Sequence, residues 1–261
     1  MKIVTWNINS IRLRINLLKD LIDAHKPDVI CLQEIKVEDL LFPTDILAEF
    51  GYNYVYYSGQ KSYHGVAILS KIQATNNFIV EFYNEDKRHV AVKIKDIEIH
   101  NFYIPAGGDI PNVNENPKFK HKLEYIDLAQ NWFTTNRSLQ DKIVIVGDLN
   151  IAPYEHDVWS SKQLKNVVSH TDVERKKLID FQNSLEFIDS ARHFTPMSQK
   201  LYTWWSYRNL DWLKSDRGRR LDHIWVSANL KNKMKSAITL KDARSWIQPS
   251  DHVPYILELH E

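Results

Sequence analysis

The chain has 261 residues, 43% hydrophobic and 26% charged, and its 34 Lys or Arg against 33 Asp or Glu leave a formal charge of +1. That composition fits one folded domain or two small ones, and its neutrality removes bulk basicity as a sign of nucleic-acid binding. The single Cys31 forbids an internal disulfide, and no stretch nears the ~20 apolar residues of a membrane span.

The N-terminus enters a strand pattern at residues 2–6 with no leader-like segment before it, so a cytoplasmic protein without membrane contact is expected. A helix is expected at 10–25, where Ile11, Ile15, Leu18 and Ile22 keep the helical period, Asn9 or Ser10 caps the start and Pro27 stops the next turn. Short runs rich in β-branched and aromatic residues predict strands at 28–32, 52–57, 66–70, 78–82, 90–94 and 97–103. The run 29–32 is apolar throughout and includes Cys31, which therefore reads as a core residue and not a reactive thiol. A helix at 119–134, a strand at 143–146, a helix at 172–184, and strands at 221–226 and 253–259 complete the pattern.

No linker or composition shift divides the chain, so residues 1–261 are read as a single domain. One weak echo stands out: an apolar run ending in Trp6-Asn7-Ile8-Asn9 and another ending in Gly147-Asp148-Leu149-Asn150. Two such halves, each a sheet with helices on one side, would pack sheet to sheet. The expected class is α+β, a four-layered α/β/β/α sandwich of two mainly antiparallel sheets.

The seven glycines, at positions 51, 59, 65, 107, 108, 147 and 218, make neither a dinucleotide-binding pattern nor a Walker-type loop. His-Glu-x-x-His, Cys-x-x-Cys and Gly-x-Ser-x-Gly are also missing from the sequence, so any metal is expected on oxygen ligands.

Chemistry concentrates where strands stop. Asn7 and Asn9 follow one apolar run, Gln33 and Glu34 a second, Tyr103 closes a third, Asp148 and Asn150 follow a fourth, and Asp251 and His252 enter the last. Gathered at one rim, these would supply oxygen ligands, a base, an imidazolium and amide donors, which suits metal-assisted hydrolysis of a phosphoester. Taken singly, the Asn and Asp residues also fit helix caps, turn formers or a surface ion pair, and His252 fits a satisfied structural histidine. Glu34 is harder to explain without a partner or metal, because a carboxylate directly after an apolar strand is costly to bury.

Seven blocks in order resemble the signature of the exonuclease III family of abasic-site endonucleases, within the endonuclease/exonuclease/phosphatase superfamily. They are Trp6-Asn7-Ile8-Asn9-Ser10-Ile11-Arg12, Leu32-Gln33-Glu34-Ile35-Lys36, Tyr63-His64-Gly65-Val66, Gly147-Asp148-Leu149-Asn150, Tyr202-Thr203-Trp204-Trp205-Ser206-Tyr207-Arg208, Gly218-Arg219-Arg220-Leu221-Asp222 and Ser250-Asp251-His252. The resemblance runs from residue 2 to residue 259, and the block around Trp204 points to the DNA-repair branch. It implies a Mg²⁺-dependent phosphodiesterase, with Mn²⁺ as a substitute ion, acting as a monomer on double-stranded DNA with abasic sites or damaged 3′ ends.

Carried over by motif, Glu34 would be the main metal ligand, with Asn7 and Asp251 beside it and Asp148, Asn150 and His252 completing the metal-binding set. Asp148 would also orient or deprotonate the attacking water. Asn150, Tyr103 and His252 would hold the scissile phosphate, and Asp222 would support the charge on His252. Trp204 and Leu221 match positions lining a pocket for a base-less deoxyribose, while Arg12, Tyr63 and Arg208 match positions facing DNA. Core aromatic packing is the competing reading of Trp204 and Trp205. Two departures bear on selectivity: Ala106 replaces an amide residue, and Arg219 stands where some relatives carry a pocket Trp. Competing functions are another phosphoesterase of the superfamily, on RNA or inositol phosphates, and a catalytically silent DNA-binding module.

The near-zero net charge hides an asymmetry. Residues 200–244 hold 11 Lys or Arg against 4 Asp or Glu, a local +7, which leaves −6 for the remainder of a +1 chain. A basic rim beside an acidic centre is the expectation.

Overall fold

A computed structural model of the chain describes residues 1–84 and 86–260. Its strands are β1 (Lys2–Asn7), β2 (Val29–Gln33), β3 (Tyr54–Ser58), β4 (Val66–Ser70), β5 (Asn76–Phe78), β6 (His89–Ile94), β7 (Ile97–Tyr103), β8 (Ile143–Asp148), β9 (Ile188–Asp189), β10 (Asp222–Val226), β11 (Met234–Thr239) and β12 (Tyr255–Leu259). Its helices are α1 (Ile15–His25), α2 (Thr44–Glu49), α3 (Pro117–Asn136), α4 (Ser161–Leu164), α5 (Asp172–Ser184), α6 (Ser190–Phe194) and α7 (Trp212–Ser215).

The strands form two six-stranded sheets, ordered β11-β12-β1-β2-β4-β3 and β5-β6-β7-β8-β10-β9. Each is antiparallel except for one parallel pair, β1 with β2 and β7 with β8, joined through α1 and α3 respectively. The echo in the sequence is thus a structural one. β1 and β8 hold matching places, each between a parallel neighbour reached through a helix and an antiparallel neighbour from later in the chain.

Side-chain alternation divides the core into layers. On β1, Val4 and Trp6 pack under α1 with Leu18, Leu21 and Ile22, while Ile3 faces the other sheet. On β8, Ile143 and Ile145 pack with Phe133 of α3 and Phe181 of α5, while Val144 and Val146 face inward. The four-layered α/β/β/α expectation therefore holds. Cys31 is fully buried between the sheets, and burial pushes its thiol pKa up, as expected of a core residue.

Beyond the short α2, α4, α6, α7 and β9, which have no counterpart in the expected pattern, three elements differ from expectation. The first helix begins at Ile15 and not at residue 10, because the amides of Ile8, Ser10 and Ile11 donate to the carbonyls of Gln33, Glu34 and Ile35 at 3.1, 2.7 and 3.2 Å. Asn9 and Ser10 accordingly have positive φ (49° and 85°) and cap no helix. The expected strand at 78–82 shifts to Asn76–Phe78, and Phe82 instead stacks on Phe102 with ring centroids 5.4 Å apart. β11 was not foreseen: it is a half-exposed edge strand with a register break between Met234 and Ser236, so its alternation is weak. By contrast α5 spans the expected residues, with a reciprocal capping box between Thr171 and Glu174.

Candidate active site

Strand direction and register assemble the site. β1 and β2 run parallel with Asn7 opposite Gln33, and β7 and β8 run parallel with Tyr103 opposite Asp148. Antiparallel β10 sets Asp222 on the other side of Asp148. Two-residue periodicity then carries each inward face from apolar to polar: Val144 and Val146 lead to Asp148, Ile99 leads through Asn101 to Tyr103, and Ile224 leads to Asp222. Below the rim, Gln33 Nε2 donates to Thr5 Oγ1 (3.0 Å) and across the sandwich to Asn101 Oδ1 (2.6 Å), a buried polar layer that ties the sheets together.

Asn7 is the hinge between two carboxylates. Its Oδ1 accepts from the Asn9 amide at 3.1 Å, and its Nδ2 donates to Glu34 Oε1 and to Asp148 Oδ2, each at 2.9 Å. Glu34 Oε1 also accepts from the Tyr103 hydroxyl at 2.8 Å, and Oε2 meets Lys36 Nζ at 2.8 Å. Burial opposes the charge on Glu34, but the Lys36 ammonium and the hydrogen bonds from Asn7, Lys36 and Tyr103 outweigh it and hold the carboxyl down at about 2. Glu34 is therefore ionised. Tyr103 is buried beside that negative charge and stays a neutral phenol, its pKa pushed well above the ordinary value.

His252 Nδ1 lies 2.8 Å from Asp222 Oδ2, and Nε2 lies 3.6 Å from Asp148 Oδ2. Burial alone would discharge the ring, yet Asp222 and then Asp148 overcome it and raise its pKa, so an imidazolium is favoured. Hydrogen-bond accounting agrees. Both amide hydrogens of Asn7 go to carboxylates, which leaves Nε2, 3.4 Å from Asn7 Nδ2, free to carry its own proton toward Asp148. Asp148 is itself raised, by burial first and then by Asp222 and Glu34, with His252 opposing. Asn150 follows in a left-handed turn (φ 54°), its amide 3.0 Å from Asp148 Oδ1 and its Nδ2 donating to Ile104 O at 2.9 Å.

These groups open onto a cleft of about 840 Å³. Its floor carries Glu34, Tyr103, Asp148, Asn150, Asp251 and His252, and one wall carries Trp159, Leu164, Trp204 and Leu221. Trp204 Nε1 donates to Asp251 Oδ2 at 2.9 Å, so the wall aromatic also fixes a floor carboxylate. Arg208, Arg217 and Arg219 bring positive charge to the same wall, and Ala106 lines the rim.

Of the residues singled out in the sequence, Asn7 and Asp222 lie fully buried behind the floor. Arg12 and Tyr63 are exposed outside the cleft lining. Trp205 is buried and packs with Tyr202, Ala243 and Val253, in keeping with core packing.

Three further residues contribute to the site. Lys36 neutralises Glu34, and its position two residues later was the available signal. Arg88 stacks over the Tyr103 ring at 4.8 Å and contacts His64 Nε2 at 3.1 Å, and no motif announced it. Arg14 donates to the carbonyls of Ile8, Gln248 and Pro249 and to Tyr207 Oη, pinning the two loops that bear Asn9 and Asp251.

The donor set fits a hard cation on the Glu34 side. Lys36 Nζ already sits between Glu34 Oε2 (2.8 Å) and Asn9 Oδ1 (2.6 Å), and Asn9 Nδ2 reaches Asp251 Oδ1 at 3.2 Å, so oxygens accommodating positive charge are in place. Asp148, Asp222 and His252 also offer ligand atoms within 4.8 Å of one another. There, however, Nδ1 and Oδ2 are consumed by their own bond and the ring favours the cation, which disfavours a second positive ion until it deprotonates.

Comparison with known proteins agrees with this geometry. Residues 4–252 match the model of the Endonuclease/Exonuclease/phosphatase family. Exodeoxyribonuclease III of Haemophilus influenzae is 31% identical, over 97% of this chain and 98% of its own length. An AP endonuclease from Archaeoglobus fulgidus superposes with a TM-score of 0.92 at 30% identity, and a Neisseria 3′ phosphatase bound to product DNA hairpin with 0.91 at 29%, each covering 100% of both chains. Among the described residues no helix is long and apolar enough to cross a membrane. The chain belongs to the endonuclease/exonuclease/phosphatase family, in its exodeoxyribonuclease III group of DNA-repair nucleases.

Proposed function

We propose that this nuclease hydrolyses phosphodiesters in double-stranded DNA with Mg²⁺, incising 5′ to abasic sites and removing nucleotides or blocking groups from 3′ ends. We further propose that residues 1–261 act as one domain, as a cytoplasmic monomer, and that Mn²⁺ can replace Mg²⁺. The observation that carries the reading is Asp148, flanked in register by Tyr103 and Asp222 and linked through Asn7 to Glu34.

Glu34 and Asp251, with Asn7 turned to present Oδ1 in place of the Nδ2 it now aims at Glu34, would hold the ion, which would supply Lewis-acid stabilisation of charge on the phosphate oxygens. Asp148, its pKa raised above the ordinary carboxylate range, accepts the proton of the attacking water. The His252 imidazolium, supported by Asp222, binds a phosphate oxygen and stabilises the growing negative charge. Tyr103, neutral by burial, would turn its hydroxyl from Glu34 to the same group, to which the second amide hydrogen of Asn150 would also donate. Trp204 and Leu221 offer an apolar face to a base-less sugar, whose extrusion breaks no base pair. Arg12, Tyr63 and Arg208, exposed around or beside the cleft, would meet the duplex.

The purified protein tested with Mg²⁺ on an abasic duplex, single-stranded RNA and inositol phosphates decides substrate class. Nicking of the abasic duplex is expected. Turnover of RNA or inositol phosphate without it would transfer the chain to another branch of the family.

A further inference from the structure

Arg219 gives the cleft wall a charge whose hydrogen bonds go to neutral groups, while the Glu174 carboxylate that supports it through space is already paired with Lys122. Its Nη1 donates to Val168 O at 3.0 Å and Ser169 Oγ at 2.7 Å, and its Nε is buried without an acceptor among the described residues. The guanidinium carbon lies 5.4 Å from the Trp204 ring centroid. A partly buried guanidinium that hydrogen-bonds neutral acceptors, and whose neighbouring carboxylate is already paired with an ammonium, is left with attraction to spend on an anion.

Backbone pairing shows where that anion would lie. Trp204 bridges to Arg219 on one side and to His252 on the other, both antiparallel. Bridged partners project from the same face, and adjacent strands lie about 5 Å apart, so Arg219 stands roughly 10 Å from His252 with Trp204 between them. All three line one cleft. A phosphate held at His252 would thus direct its outer side toward Arg219.

On that outer side the candidate substrates differ. A phosphodiester inside a strand carries one negative charge and continues into the next sugar. A phosphate monoester on a terminal 3′ oxygen has no sugar beyond it and gains a second charge near pH ~6. Apolar wall residues favour the sugar, whereas an unmatched guanidinium favours the added charge.

We propose that Arg219 sets substrate preference in this cleft, drawing 3′-terminal phosphate monoesters in ahead of internal abasic sites. The proposal rests on the reading of the cleft as a DNA phosphoesterase site. In the reaction concerned, water adds to phosphorus, the bond from phosphorus to the 3′ oxygen breaks, and that oxygen takes a proton. The products are inorganic phosphate and a 3′ hydroxyl, with no redox change.

The test is the ratio of kcat/KM for a nicked duplex ending in 3′-phosphate to that for a duplex with an internal tetrahydrofuran abasic analogue. Arg219→Gln is expected to lower this ratio about fivefold, the scale of a partly screened charge pair. Arg219→Lys, which keeps the charge, should hold it nearer the wild-type value. In the wild type the ratio should rise as pH passes about 6 and the monoester gains its second charge, because titrations of the enzyme shared by both reactions cancel. If Arg219→Gln fails to fold by circular dichroism, this wild-type pH profile decides. An unchanged ratio in folded Arg219→Gln, or a wild-type ratio flat across pH 5 to 8, would overturn the proposal. Failure of the wild type on both substrates would instead strike the nuclease reading on which it rests.

Discussion

Asn7 holds Glu34 and Asp148, which are far apart in the sequence, in one network, and the chemistry of the site follows from how its neighbours divide charge. Glu34 is kept ionised by Lys36, Asn7 and Tyr103, whereas Asp148 is pushed toward protonation by burial and by Asp222 and Glu34. One carboxylate is thereby suited to a cation and the other to a proton. Glu34→Ala and Asp148→Asn should each lower kcat by roughly 10² to 10⁴, the scale of losing a positioned base or its electrostatic partner, while duplex binding by gel shift stays largely intact. Near wild-type turnover in either would show the roles misassigned. The pH profile tests the other half of the network. Activity should climb as pH rises through the elevated pKa of Asp148 and fall as pH passes the elevated pKa of His252. Asp222→Asn removes the partner that raises His252 most, so the alkaline limb of the kcat profile should move to lower pH; an unmoved limb would separate Asp222 from the imidazolium.

Several elements depend on single contacts that can be broken. Gly147 sits in β8 at φ 143°, where an added Cβ would collide with the Phe102 carbonyl of β7, so Gly147→Ala should weaken the pairing that sets Asp148 opposite Tyr103. A lower melting temperature together with lost activity is the expected result. Lys122 of α3 and Glu174 of α5 form a fully buried ion pair, and Lys122 Nζ also donates to the carbonyls of Asn150 and Ala106, at 2.8 and 3.2 Å. Glu174→Ala would leave the ammonium unpaired and should cost about 3–5 kcal/mol in denaturant unfolding. A loss below about 1 kcal/mol would mean water or another group had replaced the carboxylate.

Elements with a strong internal signal were legible in the sequence. The capping box of α5 and the apolar runs that make up most of β2, β4 and β8 are local properties. The start of α1 was not, because the competing hydrogen bonds come from Gln33, Glu34 and Ile35, some 25 residues away. Phe82 likewise satisfied a strand pattern while serving an aromatic cluster built with Phe102 and Tyr125. The polar strand ends could be read as a set, but Arg88 and Arg14 act through contacts only the fold creates.

At the scale of the molecule, the sandwich uses its two parallel pairs to bring strand ends from both halves to one rim. The +1 net charge resolves into a basic stretch over residues 200–244 and an acidic remainder, and the cleft wall with Arg208, Arg217 and Arg219 belongs to the basic part. Duplex affinity should therefore fall as salt rises, by about tenfold or more between 50 and 200 mM if a few phosphates are contacted. Flat binding over that range would argue against a basic rim that meets the DNA backbone. Selectivity and catalysis share the cleft, since Trp204 both faces the substrate space and fixes Asp251. The most direct test of the account is single-turnover cleavage of an abasic-site duplex by the purified chain, with Mg²⁺ and with EDTA. Incision 5′ to the abasic site with Mg²⁺, lost in EDTA and in Asp148→Asn, is the expected result; undiminished cleavage in EDTA, or an intact duplex with Mg²⁺, would contradict it.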